Sequence, residues 1–188
     1  NKGKILDKAV SKGKHDFIKH LMEEKEIKPT ALSVHKAIKS GNIELTNYLI
    51  NKGAPINQVY KGRTVVNALF DKFKKDTEPL SPEVLVCLEN LEKKGANIKD
   101  PIANKTSRFN GSTPTEIIAK NQDGSLITFA ERHPDLLTKP VVESLEEYQN
   151  KLIKENPTSI TPEVVRLAEI LAAKNVQKRI DGIELNNE

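Results

Sequence analysis

Tryptophan is absent from this chain, cysteine and methionine occur once each, and aromatic residues make up only 4% of its 188 positions. A core without large rings must be packed by Leu, Ile, Val and Ala. Such side chains suit helix-on-helix contact better than a β-sandwich, which favours aromatic and β-branched residues. A single cysteine excludes an internal disulfide and fits a reducing compartment, so a cytoplasmic location is expected. That residue, Cys87, lies in VLVCLENL, where a small buried thiol is expected rather than a reactive one. No stretch approaches the roughly 20 apolar residues of a membrane span. The N-terminus, NKGKILDKAV, lacks the apolar centre of a secretory signal. The chain opens on Asn1 rather than Met, which suggests a trimmed sequence and leaves targeting open.

Chemical signatures are equally scarce. No phosphate-binding loop, HExxH, CxxC pair or GxGxxG occurs. His15 and His20 stand five apart on a helical pattern, a spacing that does not direct both at one metal, and no zinc-type Cys or carboxylate pattern accompanies them. No catalytic or metal-ligating residue is therefore assigned, and neither enzyme activity nor a cofactor or small-molecule substrate is expected. Arginine is rare too, at 63, 108, 132, 166 and 179 only, within a net charge of +4. Nucleic-acid binders more often cluster Arg on one surface or interleave it with stacking aromatics, so nucleic acid is not the expected partner.

What the chain does contain is repetition. LDKAVSKGKHDFIKHLMEE (6–24) aligns with VHKAIKSGNIELTNYLINK (34–52) at an offset of 28 residues. Leu6 meets Val34, Ala9 meets Ala37, Gly13 meets Gly41, Phe17 meets Leu45 and Leu21 meets Leu49. The matches fall on apolar and glycine positions while the charges vary. Val34, Ala37 and Ile38 share one helical face, and Leu45 and Leu49 another. Gly41 and Gly53 stand where each helix must stop in a left-handed conformation. Ser81-Pro82-Glu83, Thr113-Pro114-Thr115-Glu116 and Thr161-Pro162-Glu163 read as capped helix starts with Pro at the first helical position.

In its order of features, SVHKAIKSGNIELTNYLINKGAPIN (33–57) resembles the ankyrin repeat. Val34-His35-x-Ala37 matches the family's helix opening, with Leu32 standing where its Thr usually is, and Gly41-Asn42 matches its turn. Gly53-Ala54-Pro55-Ile56-Asn57 matches the approach to its hairpin. LEKKGANIKD (91–100) repeats the ending, and GRTVVNALF (62–70) and GSTPTEIIAK (111–120) repeat the opening. Insertions interrupt the pattern at DKFKKDTEPLSPE and KDPIANKTSRFNG. The resemblance implies an all-α helical repeat solenoid with short hairpin loops. Its units would cover about 4–29, 32–61, 62–98 and 111–138 within a repeat region 1–138. Two amphipathic helices within 139–188 would then cap the stack, with a frayed tail from about 181.

The resemblance further implies a protein–protein interaction module that contacts its partner through a concave face and hairpin tips. Carried onto this sequence, those positions are Lys8, Lys12, Lys36, Lys39 and Ser40 on first helices, and Gln58, Val59, Tyr60, Lys61 and Arg63 on the first hairpin. Arg108 and Phe109, in the second insertion, are further candidates because long loops are often functional. The lysines favour an acidic partner protein. His35 is expected to tie adjacent turns by hydrogen bonds, as the family's imidazole does. The Lys-, Asn- and Ile-heavy composition further suggests a bacterial effector delivered into a host cell. An alternative is a docking or regulatory part of a larger enzyme whose catalytic region lies outside this chain.

Overall fold

The computed structural model describes residues 2–75, 78, 80–120 and 122–184, except the side chains of Ser125 and of residues 178–184. These residues are all-α. In order they form α1 (Lys2–Ser11), α2 (His15–Glu23), α3 (Ala31–Lys39), α4 (Ile43–Asn51), α5 (Val65–Phe73) and α6 (Pro82–Lys93). Then follow α7 (Pro114–Ala119), α8 (Gly124–Arg132), a 3-10 turn at Pro134–Leu136, α9 (Lys139–Glu155) and α10 (Pro162–Glu184). The chain divides into two compact units, Asn1–Pro114 and Thr115–Glu188.

In the first unit the helices come as antiparallel-type pairs, α1 with α2, α3 with α4 and α5 with α6. One row packs α1 on α3 and α3 on α5, and behind it α4 packs on α6. Aliphatic side chains fill the space between: Leu6, Val34, Ala37, Leu49, Leu69 and Leu91 are all fully buried. Four helices end in one geometry. The amides of Gly13, Gly41, Gly53 and Gly95 each bond the carbonyl three residues back, and the next amide bonds the carbonyl five back. This closure needs a left-handed residue, and the four glycines hold φ of +61°, +78°, +87° and +84°. The first unit lacks a glycine after α2, and Glu26 takes the left-handed position instead at φ +51°.

Helix starts differ in part from the expected ones. Thr30, Asn42 and Thr64 each accept a hydrogen bond from the amide three residues on. Thr30 and Ser33 form a reciprocal capping box, so α3 begins ahead of Leu32, the position the family opening would make its cap. Ser81 precedes Pro82 as expected, but its hydroxyl bonds the Glu83 carboxylate and caps no amide. Thr161 does cap, accepting from the Val164 amide at 3.4 Å. The alignment of Phe17 with Leu45 also fails in space: Leu45 is buried, whereas Phe17 is 47% exposed and Ile18 enters the core. At the position matching Ile18 stands Thr46, whose hydroxyl is satisfied by the Asn42 carbonyl at 2.8 Å.

Two loops of this unit carry extended pairing. Tyr60 and Arg63 exchange both backbone hydrogen bonds, at 2.9 and 3.1 Å, around Lys61 and Gly62. Both turn residues have positive φ, as a two-residue type I′ hairpin requires. The second insertion closes differently. Gly111 donates to the Ile102 carbonyl and the Ile102 amide donates to Ser112, with Gly111 at φ +85°. Two residues facing one around a left-handed glycine make a β-bulge. Asp76, Thr77 and Pro79 of the first insertion lie outside the described residues.

In the second unit α10 packs on α9 and on α8. Its core joins Ala119, Leu126, Ile127 and Ala130 to Val141, Leu145, Tyr148, Leu167 and Leu171. The division falls at Pro114, where α7 and α8 share this core with α9 and α10, rather than at the expected boundary of about 138. Arg166 grips Glu131 through two hydrogen bonds of 2.7 and 2.6 Å, which holds that carboxyl below its usual pKa. α10 continues to Glu184, past the expected break at about 181, and residues 185–188 lie outside the described residues.

Candidate partner-binding groove

α3, the Tyr60–Arg63 hairpin and α5 enclose a half-open groove of about 530 Å³. The amphipathic pattern of α3 sets its floor: Val34, Ala37 and Ile38 turn into the core, while buried His35 and half-buried Lys36 lie along the groove one step around the helix. The type I′ turn folds Tyr60 back over α3, where its ring lies 5.3 Å from the imidazole of His35. α5 supplies Ala68, Asp71 and Lys72 as the far wall. Five of the predicted contact residues meet here: Lys36, Lys39, Tyr60, Lys61 and Arg63.

Arg63 lies 3.2 Å from the Asp71 carboxylate, a charge contact with no aligned hydrogen bond at that oxygen. The other Asp71 oxygen accepts from the Ser107 hydroxyl at 2.6 Å, which ties the insertion loop to α5. Lys36 reaches back to the Asp7 carbonyl on α1 at 3.2 Å. Lys61 places its ammonium 5.7 Å from the Tyr60 ring centre. Lys72 runs alongside Gly41, whose Cβ position its Cε approaches to 3.7 Å.

His35 departs from expectation. Its side chain is 9% exposed, its Nε2 has no hydrogen-bond partner, and it ties no adjacent turns. Burial first, and the nearby Arg63 charge second, hold its pKa below the ordinary histidine value, so at neutral pH the ring is uncharged. A buried polar atom without a partner forgoes on the order of 1–3 kcal/mol. The Tyr60 ring packs against this imidazole.

The other candidates stand apart from the groove lining. Lys8 and Lys12 are exposed on and just after α1, and Gln58 and Val59 are exposed ahead of the hairpin. The Ser40 hydroxyl folds back to the Ala37 carbonyl at 2.8 Å. Phe109 is a packing residue: half-buried, it meets the buried Phe70 edge-on at 6.1 Å, and Arg108 lies over its outer side at 4.7 Å. Sequence reasoning missed Asp71 and Lys72, which carry no local signal, and assigned His35 to structure alone.

The charge distribution is uneven. Five of the chain's 30 cationic side chains line the groove, Lys36, Lys39, Lys61, Arg63 and Lys72, with one of its 26 anionic ones, Asp71. The remaining 25 of each sign balance. The groove lining therefore carries a local formal excess of four positive charges. Chemically the groove can attract an anion, offer it lysine donors, and pack an apolar neighbour on Leu32, Ile38 and Ala68.

A second cavity of about 320 Å³ lies between α2 and α4, bounded by Glu23 and Tyr48. Glu23 there accepts from Tyr48 at 3.0 Å and pairs with Lys52 at 3.2 Å, so its polar groups are already matched. Burial and the Glu23 hydrogen bond push the Tyr48 hydroxyl up to about 12. Among the described residues, no cluster of three or more His, Cys, Asp or Glu is placed to hold a metal ion. No described helix is long and apolar enough to cross a membrane. No family model, curated protein or solved structure matches the chain.

Proposed function

We propose that this protein is an interaction module, an ankyrin-like array of helix pairs, that binds an acidic partner protein. The array reading is supported by the four matching glycine closures and the two-row packing of α1 to α6. Binding at the groove is supported above all by one observation, the five cationic side chains that line it against a single carboxylate. Lys36, Lys39, Lys61 and Lys72 supply the attraction, while Tyr60 and Arg63 supply the large, semi-rigid contacts enriched at interface hot spots. Action as an effector in a host cytoplasm belongs to the same proposal and rests on composition.

The test is capture of partners from a candidate host lysate with three baits: the natural chain, Lys36→Glu/Lys39→Glu and Tyr60→Ala/Arg63→Ala. A specific partner should be lost by roughly tenfold or more in both variants. The lysine variant should melt within a few degrees of the natural chain, since Lys39 is exposed and Lys36 gives up one part-buried hydrogen bond to the Asp7 carbonyl. Full recovery by both variants would remove the groove from the interface.

A further inference from the structure

The first helix pair carries an apolar face that the second pair has buried. Ile5 on α1 and Phe17 on α2 are 48% and 47% exposed. At the repeat offset of 28 residues their counterparts in the next pair are Ser33 and Leu45, and both of those are buried. What covers them is the pair before. The Ser33 hydroxyl donates to the Asp7 carboxylate on α1 at 2.6 Å, and Leu45 lines the cleft against Ile18 of α2. The different exposure of Phe17 and Leu45 thus has a positional cause. Ile5 and Phe17 stand on the face by which one helix pair stacks on another, at the α1 end of the row. The end unit of a stack is ordinarily kept soluble by a polar outer face, and large exposed apolar side chains there mark a contact surface.

The chemistry of the face decides what fits it. α3 and α4 grip the pair before them with donors: Thr30 and Ser33 bond Asp7, and Tyr48 and Lys52 meet Glu23. The counterparts of Ser33, Tyr48 and Lys52 on the first pair are Ile5, His20 and Glu24. A further pair of the same kind would set its acceptor carboxylates against an isoleucine and another carboxylate, one contact desolvating a charge and the other repulsive. A second copy of the face itself meets neither conflict. We propose that the protein self-associates through this face, α1 and α2 of one chain lying on α2 and α1 of another about a two-fold axis. Ile5 and Phe17 then cover one another across the axis. Lys2 and Lys8, exposed on α1, come against exposed Glu24 at the end of the other chain's α2, and the reverse contact repeats by symmetry. Two large side chains per chain make a small interface, so the association is weak and reversible.

The test is sedimentation equilibrium of the full chain across roughly 5 µM to 1 mM, which should show a monomer–dimer equilibrium with a dissociation constant on the order of 100 µM. Ile5→Lys and Phe17→Lys should each raise that constant by roughly tenfold or more. Glu24→Lys should weaken the dimer, and adding Lys2→Glu and Lys8→Glu to it should restore the dimer, because the swap returns opposite charges to the contact. That swap still decides the matter if either lysine substitution in the apolar centre fails to fold. Ile160→Lys, at an exposed isoleucine ahead of α10, should leave the constant unchanged. So should Lys36→Glu/Lys39→Glu, which separates this face from the groove. A chain that stays monomeric throughout overturns the proposal, as does a dimer indifferent to Phe17→Lys and to the charge swap. Loss of the dimer in Ile160→Lys instead would move the contact to the second unit and overturn it too. Assemblies that grow past two chains would show head-to-tail stacking and overturn the two-fold arrangement.

Discussion

Single residues of this protein show where its backbone and its interior depart from the easy choice. Glu26 holds a left-handed φ that its neighbours' closures give to glycine. Replacing it with Gly relieves strain of about 1 kcal/mol, partly offset by the greater freedom of the unfolded chain. Glu26→Gly should therefore raise stability by about 0.5 kcal/mol in urea titration. His35 gives a pH dependence whose sign is fixed. Its folded pKa is lowered, so on acidification the unfolded chain takes up a proton first. Stability is full above the ordinary histidine range, near pH 6.5, and falls as pH drops through it towards the lower folded value. The urea midpoint should decline between about pH 7.5 and 5.5, and His35→Gln should flatten that decline. Cys87 is fully buried, with its thiol pushed up to about 12 by burial alone, so a thiol reagent at pH 8 should label it only when the chain unfolds.

At the scale of elements, helix ends are set by local rules and were legible in the sequence. Gly41 and Gly53 announce their left-handed turns, and Pro82 and Pro162 mark helix starts. Gly95→Ala should cost about 1–2 kcal/mol, because its φ of +84° strains any Cβ even though open space surrounds it. Gly124, which begins α8 outside the left-handed region and also has open space, should accept Ala without loss. Comparing the two in one denaturation series separates backbone strain from crowding. The groove was legible only by halves. Lys36, Lys39, Tyr60, Lys61 and Arg63 lie on elements whose role the pattern suggests. Asp71 and Lys72 face them from α5, and no local spacing reveals that approach. Phe17 shows the opposite limit: a convincing alignment partner of Leu45 that the helix turns outward, with Ile18 taking the core. Asp71 also pins two loops to α5, through Arg63 and Ser107. Asp71→Asn should quicken amide exchange at Tyr60–Arg63 and around Ser107 together, with α9 unaffected.

Over the molecule as a whole, a groove lined by five cations and one carboxylate gives a local positive field with a modest net charge overall. Association with an acidic partner should slow markedly as salt rises from about 50 to 500 mM, where the screening length shrinks several-fold, while dissociation changes little. Stopped-flow mixing reads both rates, and a salt-independent on-rate would deny that the lysines steer the encounter. The unmatched ring nitrogen of His35 has a further consequence. Folding has left this interior atom without a hydrogen bond, a shortfall that the native state tolerates. Any rearrangement of the fold that gave this nitrogen a partner would be favoured by about what its isolation now costs.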